Sequence, residues 1–296
     1  MGRRHPDTHP HHSKRSVVSA SIIAPIREEF LRLLPARQDS HPLGCHNPRI
    51  KDAVVFDRLV VTLVSGMGYE RVADKACSAT TIRRRREEWI AAGVAGHLVL
   101  AALPAHDQMV GLELEDLAAD GCITQAPTGG ECAGRSPVDR GKQSLKRSQL
   151  TDNYGIPVVT VPTGANIRDH TLPPETLDGF AELTDQLGVP RHPALSLDAG
   201  YDSGPVYRDL TERDITHRTS KRDTKTPIHT DGRWGAERTN SWMNNFGKLR
   251  RNTERRRACT EFFLQLATAT IVVRSLIRRI WYTPRWDTRP TSPRIR

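Results

Sequence analysis

The stretch Ala194-Leu195-Ser196-Leu197-Asp198-Ala199-Gly200-Tyr201-Asp202-Ser203 decides how this chain reads. A short apolar run predicts a strand; it ends on an acid, and the following glycine lets the backbone turn tightly and leave the carboxylate exposed at the strand end. A second acid, Asp120, precedes the β-rich Gly121-Cys122-Ile123. The run Ile156-Pro157-Val158-Val159-Thr160-Val161 and the segment Ile215 to Arg218 are further strand candidates. Pro174 to Leu187 has helical periodicity through Leu177, Phe180, Leu183 and Leu187, and two helices are expected near the end, Trp234 to Leu249 and Glu261 to Trp281. The pattern is a mixed α/β domain with strands first and helices last. A strand-end Asp by itself is as readily a turn-former or helix cap.

Glu237 is the third acid of interest. At roughly 100° per residue, Trp234, Arg238, Trp242, Asn245, Phe246 and Leu249 fall on one sector of the helix. Glu237, Asn240, Ser241, Asn244 and Lys248 fall on the other and would face one polar partner together. An ordinary solvated face fits the same pattern, but the basic run Arg250-Arg251 and Arg255-Arg256-Arg257 lies just downstream.

The N-terminal part reads differently. Residues 22–34 form a short amphipathic helix with Pro25 in its first turn, and Pro35 to Pro48 is a loop. Val54, Val55, Leu59, Val60, Leu63 and Val64 give a core-facing helical stripe that Gly66 and Gly68 end. A short helix from Tyr69 to Lys75, a turn at Cys77-Ser78-Ala79-Thr80 and a helix from Thr80 to Ala92 make a helix-turn-helix pattern. The last helix opens with Arg83-Arg84-Arg85-Arg86 and would enter the major groove; a helical bundle with solvent-facing arginines is the alternative.

The 296 residues suffice for one large domain or two modest ones. Lys plus Arg number 44 against 34 acids, a formal charge of +10, and only eight of the 44 are lysines. Arg suits phosphate because its planar fork donates two parallel hydrogen bonds, so nucleic acid is the expected partner, with a solvated basic surface as the bland alternative. No run of 18 apolar residues marks a membrane span, and Met1 to Pro6 lacks the apolar stretch of a signal peptide. Five widely spaced cysteines without a Cys-x-x-Cys pair argue against a disulfide framework or zinc site, and point to a reduced, cytoplasmic protein. His5, His9, His11 and His12 lie in a segment expected to be a frayed basic tail.

Four segments together resemble the DDE transposases of bacterial insertion sequences, of the insertion-sequence-five-like group. They are Asp120 to Thr124 with Ala126-Pro127 and Gly129-Gly130-Glu131; Ser136 to Arg147; Ala165-Asn166-Ile167-Arg168-Asp169 with Leu197 to Ser203; and Arg233 to Trp242 continuing to Arg250-Arg251 and Glu254-Arg255. The similarity runs from about Pro48 to Tyr282 and is weaker in the N-terminal helices. Cys122 stands where Ser is usual, and Gly235-Ala236 where bulkier residues are common. Asp120 and Asp198 are 78 positions apart and Asp198 and Glu237 are 39 apart, which suits the family without an inserted domain.

The resemblance implies a ribonuclease-H-like mixed sheet with flanking helices, preceded by an all-α helix-turn-helix domain. Asp120 and Asp198 would lie on adjacent strands and Glu237 on a following helix, holding Mg²⁺ or Mn²⁺, two ions in all. The expected division is a disordered basic tail at 1–20, a DNA-binding domain at 21–104, the catalytic domain at 105–283 and a mobile tail at 284–296. The implied function is binding of the element's terminal inverted repeats with metal-dependent strand cleavage and strand transfer; a catalytically inactive relic acting as a repressor is the rival. Double-stranded DNA, both element ends and target, is the expected partner, with a homodimer forming on it and localisation to the bacterial nucleoid. Candidate DNA contacts are Arg83, Arg84, Arg85, Lys142, Lys146, Arg238, Lys248, Arg250 and Arg251. Tyr201 and Ser203 are read as structural, and Asp139, Asp169 and Asp202 as spare carboxylates that orient neighbours or cap turns.

Overall fold

Among the described residues, five helices come first: α1 (Ala20–Arg32), α2 (Asp52–Ser65), α3 (Tyr69–Val72), α4 (Ala79–Ala91) and α5 (Val94–Val110). The computed structural model describes residues 19–36, 49–171, 173–187, 192–220 and 234–282; the expected basic and C-terminal tails, and most of the loop before Pro48, lie outside these. α2 stops where Gly66 adopts left-handed backbone (φ 73°), and Ser78 caps α4 by accepting from the Thr81 amide at 3.2 Å. The short helix expected from Tyr69 to Lys75 is a single turn, α3, closed by the bridge between Asp74 and Cys77.

The sheet follows, from β1 (Asp116–Gln125), β2 (Gly134–Arg135), β3 (Gln143–Asp152) and β4 (Pro157–Gly164). Then come α6 (Pro173–Leu187), β5 (Ala194–Leu197), α7 (Gly204–Glu212) and β6 (Thr216–Thr219). β4, β3 and β1 are antiparallel neighbours, β1, β5 and β6 are parallel, and β2 is a short addition to β3. This is the mixed sheet with flanking helices that was expected, with α6 and α7 as the crossovers that parallel strands require. The last of the described residues form α8 (Trp234–Asn244), α9 (Gly247–Arg250) and α10 (Arg257–Tyr282).

Two large buried clusters, with a small third at Ala126, Cys132 and Leu145, make up the core among the described residues. Phe30, Phe56, Leu59, Ile82 and Trp89 pack with Met243, Phe246, Leu249, Phe262 and Phe263. Leu103, Leu117, Leu150, Phe180, Leu195 and Leu197 form the second, to which Val272 belongs. α5 and α10 contribute to both, so the boundary expected at Pro104 falls inside a continuous helix. α10 is long and apolar enough to cross a bilayer, but 61% of its most apolar window is buried inside the protein, as in a core helix.

β3 was not foreseen, because its sequence has no apolar alternation. Nine of its ten residues are nonetheless buried, including Ser144, Lys146, Arg147, Gln149 and Asp152. The single long helix expected over 234–249 is broken, since Gly247 backbone docks on Gly66; a β-carbon on Gly66 would sit 2.8 Å from the Gly247 carbonyl carbon.

Candidate active site

β1 and β5 pair in register from Asp116 with Ala194 to Ala119 with Leu197. The next residue on each strand is a candidate acid. Asp120 continues in β1, still paired to β3 opposite Gln149, whereas β5 ends and Asp198 caps a 3₁₀ turn, accepting from the Ala199 amide at 2.6 Å. The β5 side of β1 therefore opens at Asp120. This is the juxtaposition that the two strand-end acids called for.

Asp120 is half-buried. Its Oδ1 accepts from the Gly121 amide at 2.8 Å and its Oδ2 from Asn240 Nδ2 at 2.8 Å. Burial pushes its pKa up to about 6, the charges of Asp198 and Glu237 add to this, and the two hydrogen bonds oppose it. Those like-charge contributions bring all three acids into one electrostatic neighbourhood. Glu237, in the first turn of α8, is exposed; Asn240 one turn on is buried against Asp120, and Asn244 another turn on accepts from Arg147 Nη2 at 2.7 Å. The amides of the expected polar face thus point at the sheet and clamp α8 to β1 and β3. No signal in periodicity distinguishes that from a solvated face.

Among the described residues no group of three or more His, Cys, Asp and Glu side chains is arranged to hold a metal ion. The donor chemistry nevertheless fits a hard divalent cation. Asp120 feels the negative charges of Asp198 and Glu237, and the buried Asn240 Oδ1 beside it has no hydrogen-bond partner. Such a set suits Mg²⁺ or Mn²⁺ and not a soft, sulfur-preferring metal.

The candidate DNA contacts separate into two groups. Arg84, Arg250 and Arg251 are exposed; Lys142 is exposed beside Asp139, 3.2 Å away, and Arg83 is half-exposed, pairing with Glu70 at 2.8 Å. The others are structural. Arg85 is 0% exposed and bound by Asp52, so it holds α4 to α2 and cannot face a groove. Lys146 is 4% exposed, with Nζ 2.8 Å from Asp169 Oδ1. Lys248 lies on α9, not on α8's polar face; it is 2% exposed, 2.5 Å from Glu254, and burial drives its pKa down despite that carboxylate. Arg238 is stacked between Trp234 and Trp242, 4.4 and 4.9 Å from their ring centres. For Arg85 and Lys146 the missing information was a partner distant in sequence, Asp52 and Asp169; Arg238 and Lys248 instead meet near neighbours, Trp234 and Trp242 four positions to either side and Glu254 six positions on.

Residues 116–272 match the family described as Transposase DDE domain, more than half of the chain, and the chain belongs to that family. A relative from Burkholderia cepacia, described as "Putative transposase for insertion sequence element IS402", is 34% identical over 151 residues, covering 49% of this chain and 70% of that protein. Two solved structures of the Mos1 transposase, a paired-end complex with the left transposon end and a pre-cleavage transpososome, align over 82% of both chains at 8% and 9% identity. Their TM-scores of 0.26 are too low to carry any inference about this chain.

Proposed function

We propose that this protein binds the terminal inverted repeats of its own insertion sequence and catalyses metal-dependent DNA strand cleavage and strand transfer. The observation that carries the reading is the half-buried Asp120, held by Gly121 and Asn240 and raised in pKa beside Asp198 and Glu237. Asp120, Asp198 and Glu237 would hold two Mg²⁺ or Mn²⁺ ions, which would stabilise the attacking and leaving oxygens of an in-line displacement at phosphorus. The protein's own part is positional. Gly121 and Asn240 fix both oxygens of Asp120, Ala199 orients Asp198, and exposed Glu237 completes the donor set from across the opening. Water attack nicks the element end, and attack by the freed 3′-hydroxyl joins it to target DNA, with no covalent protein intermediate. Of the candidate contacts, Arg84, Arg250, Arg251 and Lys142 are exposed and available to phosphate. Double-stranded end and target DNA, a homodimer assembled on it and a cytoplasmic, nucleoid-associated location follow from this reading.

The test is Glu237→Gln, which keeps size and hydrogen bonding but removes a charge. The variant should bind duplexes carrying the element ends as well as the parent, while Mg²⁺-dependent nicking falls by orders of magnitude. Asp120→Asn and Asp198→Asn should lose cleavage too, and the losses should not add when combined. A parent protein that binds the ends but never nicks them in Mg²⁺ or Mn²⁺ is the repressor relic. A Glu237→Gln variant that cuts normally removes Glu237 from the reaction.

A further inference from the structure

Two glycines flank the acids. Gly121 follows Asp120, and Gly200 lies two residues after Asp198, yet neither sits in left-handed backbone. Conformational freedom does not explain them. Space does: a β-carbon on Gly121 would lie 2.8 Å from Asp169 Oδ1, and one on Gly200 would lie 3.2 Å from Asp169 Oδ2. Real β-carbons do not approach that first distance, so the carboxylate occupies the volume both side chains would take.

Asp169 opens a 3₁₀ turn after β4 that packs on the Ala199–Tyr201 turn. A buried ammonium pins it in place. Lys146 Nζ donates to Asp169 Oδ1 at 2.8 Å and to the Ile167 carbonyl at 2.7 Å. Lys146 stands opposite Ile123 on β1, so its side chain lies on the sheet face that Gly121 shares, the reverse of the Asp120 face. The ladder between β1 and β5 stops at Ala119 with Leu197, one residue before the acids. Where the ladder stops, nothing in the backbone pairing holds the two strand ends at a set distance. The wedged carboxylate does.

We propose that Lys146 and Asp169 are a positioning pair that sets the separation of the strand ends bearing Asp120 and Asp198, and that Gly121 and Gly200 are glycines to admit it. The proposal rests on the reading of Asp120 and Asp198 as metal ligands. Only the lysine is buried, while the Asp169 side chain is 37% exposed, and an ion pair open to solvent on one side contributes little to stability, so the pair's role is geometric and separable from folding.

The experiment uses the full chain and Mn²⁺ as probe. Lys146→Met with Asp169→Ala removes both charges and the wedge together. Its unfolding midpoint and its binding of end DNA in Ca²⁺ should stay near the parent's, while the Mn²⁺ dissociation constant rises at least tenfold and single-turnover cleavage slows at least tenfold. Gly121→Ala should weaken Mn²⁺ binding in the parent but have almost no added effect in the Lys146→Met, Asp169→Ala background, where its β-carbon has room. A folded double variant with Mn²⁺ affinity and cleavage within twofold of the parent overturns the proposal, as does a Gly121→Ala effect equal in both backgrounds. Should the double variant fail to fold, Gly200→Ala decides instead: the carboxylate must give by a few tenths of an ångström, so Mn²⁺ binding should weaken several-fold at an unchanged unfolding midpoint, and unchanged binding refutes it. Asp120→Asn separates the two levels of argument. If it binds Mn²⁺ as the parent does, the metal reading itself has failed, whatever the pair does.

Discussion

Replacing Asp120 by Asn should make the metal-free protein more stable, and the gain should depend on pH. Asp120 has a folded pKa of about 6 against an ordinary 3.8. A pKa raised by folding means the native state binds the proton more tightly than the unfolded chain does, so stability is greatest below the unfolded value and falls as pH rises through the folded one. The gap of just over two units corresponds to about 3 kcal/mol, present in full above pH 6 and gone below about pH 4. An Asn at 120 carries no such penalty. Its oxygen can keep the Gly121 amide, and its NH₂ can donate to Asn240 Oδ1, which now lacks a partner, once the Asn240 amide turns over. Allowing roughly 1 kcal/mol for imperfect geometry leaves a net gain of about 2 kcal/mol at pH 7.5. That is a rise of about 5 °C in melting temperature for a chain of this size. Urea unfolding of both proteins in EDTA at pH 4, 5, 6, 7 and 8 measures it; the two curves of stability against pH should meet near pH 4 and separate up to pH 6. Added Mg²⁺ should then stabilise the parent and not the variant, since only a ligand that binds the native state shifts the equilibrium. A variant less stable than the parent at pH 7.5, or a difference that does not vary with pH, would refute the claim that Asp120 carries uncompensated buried charge.

Two further perturbations separate exposed arginines from buried cations. Arg84→Ala should leave the melting temperature unchanged and lower the slope of log affinity against log salt for end DNA by about one, whereas Arg85→Ala leaves Asp52 only Arg49, 3.5 Å away, and empties a buried site, so it should destabilise by roughly 1–3 kcal/mol; a stable Arg85→Ala protein with weakened DNA binding would reverse the assignment. Lys248→Met leaves Glu254 with Arg86 and Tyr69 as partners, so thermal unfolding should show a loss at the low end of about 3–5 kcal/mol. Its salt slope for DNA should be unaltered, and a shallower slope would put Lys248 on the DNA after all.

The elements that periodicity revealed are those whose burial is apolar. Leu59 and Leu63 mark α2, Leu177, Phe180 and Leu183 mark α6, and Leu195 and Leu197 mark β5. β3 escaped because its burial is polar on both faces: Arg147 meets Asn244 of α8, while on the other side Ser148 meets Thr176 of α6 and Lys146 meets Asp169. Residue type along a strand cannot disclose partners that arrive from other elements. α7 carried a readable signal that was passed over: Ser203 precedes Gly204-Pro205, proline suits a first helical turn, and Val206 and Leu210 recur four apart. The acids themselves were legible, since a strand, an acid and a glycine define a position, and the register of β1 with β5 sets Asp120 level with Asp198. The clamp on Asp120 was not. Asn240 looks like any amide on a polar helix face until β1 is placed beneath it.

The helical and sheet halves are one mechanical body, and the reason is the order of elements along the chain. α8 and α9 follow the sheet in sequence, but Met243, Phe246 and Leu249 bury themselves among α2 and α4 residues of the first cluster. Gly247 rests on Gly66, and Glu254 just beyond takes Arg86 of α4 at 2.9 Å and Tyr69 of α3 at 2.7 Å. The same helix that carries Glu237 to Asp120 is therefore seated at its far end on the N-terminal helices. Excising residues 52–93 would expose Phe56, Leu59, Ile82 and Trp89, and the remainder would lose the cover over Phe262 and Phe263. Neither piece keeps a closed core, because the apolar surface each exposes is the surface the other buries. On the proposed function, the helices offered to DNA and the helix bearing the third acid then share one set of side chains, and α8 is fixed at both ends, by Asn240 on Asp120 and by Met243 in the helical cluster.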